Sequence, residues 1–188
     1  MREVLPDNVT IDQVDIWFQD ETRIGQQGTN TRIWAEKGTR PRVVRQKQFI
    51  SAYIFGAVCP KLDIATALVL PFANTDAMQK HIDEISLSVP NGRHAVIVAD
   101  KAGWHVAKEL SWGEKISFLE LPPYSPELNP TERIWEKLRE DDLANRCFES
   151  YDEILTACCD AWNKFTEVPE TIQNLCSRTW ADLDSYLL

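Results

Sequence analysis

Long apolar runs are missing from this chain: nothing in it approaches the roughly 20 residues that a bilayer-spanning helix needs. The opening segment, Met1-Arg2-Glu3-Val4-Leu5-Pro6-Asp7-Asn8, also lacks the apolar core of a secretory signal. Cysteine is sparse and unpatterned. Cys59, Cys147, Cys158, Cys159 and Cys176 form an odd set without a C-x-x-C pair, which argues against a disulfide framework and against a structural zinc site. These absences predict a cytoplasmic protein with no membrane partner. Positive charge is scarce as well: 20 Lys and Arg face 29 Asp and Glu, and the net charge of −9 is the wrong sign for a simple electrostatic nucleic-acid binder. Internal repeats, low-complexity tracts and long linkers are absent too, so residues 1–188 are expected to form a single domain.

What is present is a normal globular composition, 44% apolar and 26% charged, large enough for a substantial core. The few cations are unevenly placed. Arg32, Lys37, Arg40, Arg42, Arg45 and Lys47 stand against the single acid Glu36, so this stretch is either a contact for an anionic polymer or a solvated hairpin. Val14, Ile16 and Phe18 alternate with other residues, which predicts a strand ending at Asp20. Gln48–Val58 and Leu62–Leu70 read as an antiparallel pair turning at Cys59-Pro60-Lys61. A helix capped by Asn74 or Thr75 follows, with Met78, Ile82 and Ile85 on one face.

Ala95–Ala99 is an unbroken apolar run of strand length, as expected of a strand covered on both faces, and it ends at Asp100. A short helix around His105–Leu110 and a strand Ile116–Leu121 come next. Pro122, Pro123 and Pro126 stiffen the loop that follows. Asn129-Pro130 opens a helix with Ile134, Trp135 and Leu138 on one side. Ser150 and Glu153 form a capping-box pattern before Ile154, Cys158, Ala161 and Phe165. A last helix carries Ile172, Leu175, Thr179 and Leu183. This order predicts an α/β fold, a mixed sheet flanked by helices.

Three acids stand where folding does not ask for them. Asp20 and Asp100 follow strands, and ligand sites in open α/β sheets lie beyond the carboxyl ends of strands. Glu132 sits three residues before Trp135, on roughly the same inward face. Taken singly, Asp20 also suits a turn, Asp100 a helix cap and Glu132 a capping box. Brought together they would repel, and a hard divalent ion such as magnesium or manganese resolves that repulsion.

Several stretches resemble the DDE transposases of the mariner superfamily, and within it the bacterial insertion-sequence branch. Trp17-Phe18-Gln19-Asp20-Glu21 resembles the first-aspartate strand. Val96-Ile97-Val98-Ala99-Asp100-Lys101-Ala102-Gly103-Trp104-His105 resembles the second. Most specific is Leu121-Pro122-Pro123-Tyr124-Ser125-Pro126-Glu127-Leu128-Asn129-Pro130-Thr131-Glu132, similar to the proline-rich segment before the family's third acid. Trp34-Ala35-Glu36-Lys37-Gly38 resembles the family's tryptophan-glycine hairpin, and Val168–Leu175 its C-terminal helix. Two features depart from the pattern: Lys101 replaces the usual asparagine or glycine, and the interval from Asp100 to Glu132 is somewhat short.

The resemblance implies an RNase H-like, retroviral-integrase-like α/β fold with a mixed five-stranded sheet flanked by helices. It implies that Asp20, Asp100 and Glu132 are both catalytic and metal-binding, holding two Mg²⁺ or Mn²⁺ ions that stabilise the attacking and leaving oxygens of an in-line displacement. Water would first free a 3′-hydroxyl at the transposon end, and that hydroxyl would then attack target DNA. Arg32, Lys37, Arg40, Arg42, Arg45, Lys47, Lys101 and His105 are the candidate DNA contacts. Lys101 would either steer phosphate or compete with metal for Asp100, and His105 would touch DNA, order the site or serve structure. Trp104 and Trp112 are candidates for base stacking or for packing. The partners implied are transposon-end and target DNA and a second copy of the chain, in the bacterial nucleoid. The family's helix-turn-helix modules have no counterpart here, so the chain is expected to be the catalytic portion alone. A decayed or domesticated transposase fragment that only binds DNA and another RNase H-like nuclease are the competing expectations.

Overall fold

The computed structural model describes residues 4–28, 31, 34–42, 44–123 and 125–183. Five strands form one sheet in the order β3-β2-β1-β4-β5. They are β1 (Val14–Gly25), β2 (Ser51–Cys59), β3 (Ile64–Leu70), β4 (His94–Ala99) and β5 (Ile116–Glu120). β1 pairs antiparallel with β2, and β2 antiparallel with β3. β4 pairs parallel with both β1 and β5. This is the mixed sheet expected from the sequence. The continuous apolar run of β4 lies inside it, with Ala95 to Ala99 fully buried, because strands on either side and layers on both faces leave it no contact with water.

Alternation along the strands sorts side chains into two cores. Val14, Ile16 and Phe18 face α2 (Thr131–Leu138), α3 (Tyr151–Thr166) and α4 (Thr171–Cys176), whose Ile134, Trp135, Leu138, Ile154, Cys158, Ala161 and Phe165 complete that layer. Trp17 faces the other way, onto α1 (Thr75–Ser88) with Met78, Ile82 and Ile85. Both long helices begin as their sequences predict. Asn74 Oδ1 accepts from the Ala77 amide at 2.9 Å, and Ser150 Oγ accepts from the Glu153 amide at 3.2 Å. Each bond satisfies an amide that lacks an intrahelical partner.

Four expectations are corrected. β1 does not end at Asp20 but continues to Gly25, because Asp20 through Gly25 keep pairing with Gly56 through Ser51 of β2. Asp20 is therefore a mid-strand residue. The segment after Asp100 forms turns rather than a helix over His105–Leu110. There the Asp100 carboxylate and backbone carbonyl hold the Ala102 amide and the His105 ring locally, in competition with helical hydrogen bonds. The last helix stops at Cys176, where Ser177 turns extended and its hydroxyl donates to the Gln173 carbonyl. Among the described residues only a 3₁₀ turn, Thr179–Ala181, follows it. Finally, residues 34–42 and 44–50 hold no strand. The basic stretch is an exposed arm rather than a hairpin, fastened at its end by Gln46, whose side chain bonds the Phe148 backbone at 2.7 and 2.9 Å.

Candidate active site

The register of β1 against β4 sets the first two acids side by side. Phe18 pairs with Val98, so two residues further on Asp20, in mid-β1, stands beside Asp100, just past the end of β4. Glu132 comes from the first turn of α2. Asp20, Asp100 and Glu132 line one cavity of about 420 Å³, walled otherwise by Lys101, Ala102, Pro122, Pro123 and Asn129. The proline loop and α2 are tied to β1 by the Asn129 side-chain amide, which donates to the Gln19 carbonyl at 2.9 Å. Its Oδ1 accepts from the Thr131 amide at 3.2 Å, so the capping role read at Asn129-Pro130 belongs to Asn129.

The acids differ in setting. Asp20 is largely buried, and its Oδ2 accepts from the Trp135 indole at 2.9 Å. Burial, with Glu21 and Glu132 adding repulsion, pushes its pKa up to about 7. Asp100 is more open, with its side chain 63% exposed, and hydrogen bonding to His105 holds its carboxyl below the usual aspartate value. Glu132 is exposed at the cavity wall rather than turned into the core as its helical phase suggested, because Thr131, Ile134, Trp135 and Leu138 make up the buried face of α2. Among the described residues no three His, Cys, Asp or Glu side chains are already drawn to a shared ligand position. Asp100 and Glu132 are exposed enough to close on an ion.

The remaining candidates separate. Lys101 lines the cavity, but its ammonium is paired with Glu120 rather than with Asp100. His105 is buried, with Nδ1 2.9 Å from Asp100 Oδ1 and Nε2 3.1 Å from Glu21 Oε2. This makes it part of the frame behind the site. Trp104 donates to Glu21 at 3.2 Å, and Trp112 stacks on Phe118 at 4.9 Å. Both tryptophans are therefore engaged in packing or support. Lys37, Arg40, Arg42, Arg45 and Lys47 are exposed along the arm, and none of them lines the cavity. Arg32 lies outside the described residues. Sequence reasoning missed Glu21, Trp135 as a hydrogen-bond donor, and Gly56. Gly56 pairs with Asp20 across the sheet, and a Cβ there would come within 2.6 Å of the Trp135 ring.

A mixed sheet with acids gathered beyond the end of β4 is the RNase H-like architecture, and comparison with known proteins agrees. A family model of the DDE superfamily endonucleases matches residues 15–155. The chain belongs to that family. It is 50% identical over 130 residues to the uncharacterized protein y4pE/y4sA of Sinorhizobium fredii (strain NBRC 101917 / NGR234), covering 69% of this chain and 96% of that one. Its fold matches the Mos1 mariner paired end complex with Mn at a TM-score of 0.65 and 14% identity, over 88% of this chain and 52% of that one. The Mos1 transposase paired-end complex with left transposon end gives 0.64 at 16% identity, over 86% and 51%. At such identities the likeness is one of fold, and the chain spans about half the length of these solved chains. No helix among the described residues is long and apolar enough to cross a membrane.

Proposed function

We propose that this chain is the catalytic portion of a DNA transposase of the bacterial insertion-sequence type, with Asp20, Asp100 and Glu132 as its catalytic residues. The observation that carries the reading is that acids from β1, β4 and α2 converge on one cavity in a chain of the DDE endonuclease family. The donor set fits two divalent ions, Mg²⁺ or Mn²⁺. All three donors are hard carboxylates. Asp20 sits beside two other acids in a setting that penalises its charge, and Lys101 is occupied by Glu120. Bound there, the ions would stabilise both the attacking and the leaving oxygen of a phosphoryl transfer.

The chain's own groups supply position and attraction. Trp135 holds Asp20 by one oxygen, and Asn129 keeps the helix bearing Glu132 against β1. Lys37, Arg40, Arg42, Arg45 and Lys47, with Arg32 and Lys101, supply cations for a DNA backbone that the acidic body would otherwise repel. The partners are transposon-end DNA, target DNA and a second copy of the chain, with end recognition by a helix-turn-helix portion held elsewhere. Mos1, whose fold this chain shares, has been solved as a strand transfer complex and as paired end complexes with Mn and with Mg.

Asp20→Asn, Asp100→Asn and Glu132→Gln should each reduce metal-dependent nicking of a DNA end below detection while the folded state persists. Full cleavage by any one of them would remove that residue from the set. Joined products, beyond hydrolysis, separate a transposase from another RNase H-like nuclease. DNA binding without cleavage in any metal would support the DNA-binding fragment instead.

A further inference from the structure

Glu21 is an acid beside the site that the proposed chemistry leaves unused. It follows Asp20 on β1, so the pleat turns it to the opposite face of the sheet, and it does not line the cavity. Its Oε1 accepts from the Trp104 indole at 3.2 Å, and its Oε2 lies 3.1 Å from His105 Nε2. The other ring nitrogen, Nδ1, lies 2.9 Å from Asp100 Oδ1 and 3.1 Å from the Asp100 carbonyl. Both nitrogens thus meet oxygen acceptors. Oδ1 of Asp100 also accepts the Ala102 amide at 2.9 Å. The His105 side chain is 0% exposed and that of Glu21 13%, whereas that of Asp100 is 63% exposed. A buried imidazole braced by a nearly buried carboxylate therefore grips one oxygen of an open one.

We propose that Glu21 is a positioning residue: through His105 it fixes the Asp100 carboxylate so that Oδ2 is the oxygen offered to a divalent cation in the cavity. The proposal rests on the metal-site reading above. Its physical basis is preorganisation. An exposed aspartate left free would have to be ordered on binding, and a chain of hydrogen bonds from buried groups sets that order in advance. Outer-shell carboxylate–imidazole pairs elsewhere orient a histidine ligand. Here the imidazole is the middle member, and the group it orients is itself a carboxylate.

The test is Mn²⁺ titration of the whole chain, followed by electron paramagnetic resonance, with thermal melts alongside. Glu21→Ala should weaken Mn²⁺ binding by about 10–100-fold, the range for outer-shell partners. Glu21→Gln keeps an acceptor for Nε2 and should weaken it less; it also carries the test if the alanine variant fails to fold. In an Asp100→Asn background Glu21→Ala should add little, because the two act through one oxygen. Unchanged affinity in both Glu21 variants, or a full additional loss in the Asp100→Asn background, would overturn the proposal. The ¹⁵N signals of the His105 ring give a metal-free reading. Glu21→Ala should move the Nε2 signal and Asp100→Asn the Nδ1 signal, and unmoved signals would also overturn it. If the unmodified chain takes up no Mn²⁺, the metal-site reading fails, and the ring signals alone report whether the Glu21–His105–Asp100 chain exists.

Discussion

Asp20 and Asp100 stand on adjacent strands, and the protein holds them by opposite means. Asp20 is set into the apolar layer between the sheet and α2, held by the neutral indole of Trp135, and burial drives its pKa up to about 7. Asp100 is open to water, gripped by a ring with a second carboxylate behind it, and its pKa is lowered. One acid is ionised only at a cost, whereas the other is held ionised by its neighbours. The difference teaches that the three acids of the cavity are not equivalent: Asp20 carries an electrostatic penalty, whereas Asp100 is oriented by His105.

The contact most able to break this contrast lies behind Asp20. Gly56 leaves the space in which Trp135 lies against the sheet; an added Cβ would meet the Trp135 ring at 2.6 Å and the Trp162 ring at 3.0 Å. Both rings belong to the packed layer beneath α2 and α3, so neither can give way without displacing others. Gly56→Ala should therefore cost about 1–3 kcal/mol by overpacking. That would lower the melting temperature by roughly 2–4 °C per kcal/mol in a chain of this size. It should also disturb the indole bond to Asp20 while the ring signals of His105 stay where they were. A melting temperature equal to that of the unmodified chain would mean that the rings are not packed as described.

A smaller effect sharpens the contrast by its sign. Asp20 has a folded-state pKa raised from 3.8 to about 7, so the metal-free native state binds more protons than the unfolded chain between those values. Its contribution to stability must then fall as pH rises from about 4 to about 7. Asp100 has a lowered folded-state pKa. The stability it contributes is present above the ordinary aspartate value and is lost as pH falls through the lowered one. Metal-free melts at pH 7.5 should thus separate two chemically identical changes: Asp20→Asn raises the melting temperature and Asp100→Asn lowers it. Divalent metal should raise the unmodified chain's melting temperature by mass action and erase the advantage of Asp20→Asn. Shifts of the same sign in both variants would end the distinction.

Much of this arrangement is legible in the sequence, and the illegible part has a physical cause. The apolar run of Ala95–Ala99 and the helical phase of Met78, Ile82 and Ile85 are local patterns that survive folding intact, and Asp100 does end its strand, whereas Asp20 proves to be mid-strand and Glu132 exposed. The role of Glu21 is not local. Its partner His105 lies 84 residues away, and only the pleat of β1 sends it to the other face from Asp20. The same holds for Gly56, which follows Phe55 in an ordinary strand pattern and matters only because it pairs with Asp20. The absent helix near His105 fails for a related reason. The apolar spacing there suits a helix, but side-chain bonds from Asp100 take the Ala102 amide into a turn. The exposed outward turn of Glu132 shows that helical phase gives a face to within about one residue and no better.

The smallest expected effect on either aspartate comes from the arm, and this makes it the control for both. Lys37, Arg40, Arg42, Arg45 and Lys47 are exposed and lie off the cavity, so replacing them should leave the melting temperature and its pH dependence unchanged. Their effect should appear only against DNA. On a chain of net charge −9, a cationic arm is the part whose field a phosphate backbone meets favourably, and each contact displaces condensed counterions. Replacing Arg40, Arg42, Arg45 or Lys47 by alanine should lower the log–log salt slope of duplex binding by about 0.9 apiece. The loss should be similar across sequences, because phosphate contacts carry no base information. Binding by the unmodified chain should itself be weak, with dissociation constants on the order of 10⁻⁴–10⁻⁶ M at about 150 mM salt. A gel-shift salt series on the quadruple variant decides the matter. A slope equal to that of the unmodified chain would return the arm to an ordinary solvated segment, whereas nanomolar binding to one DNA end against random competitor would place sequence reading within this chain.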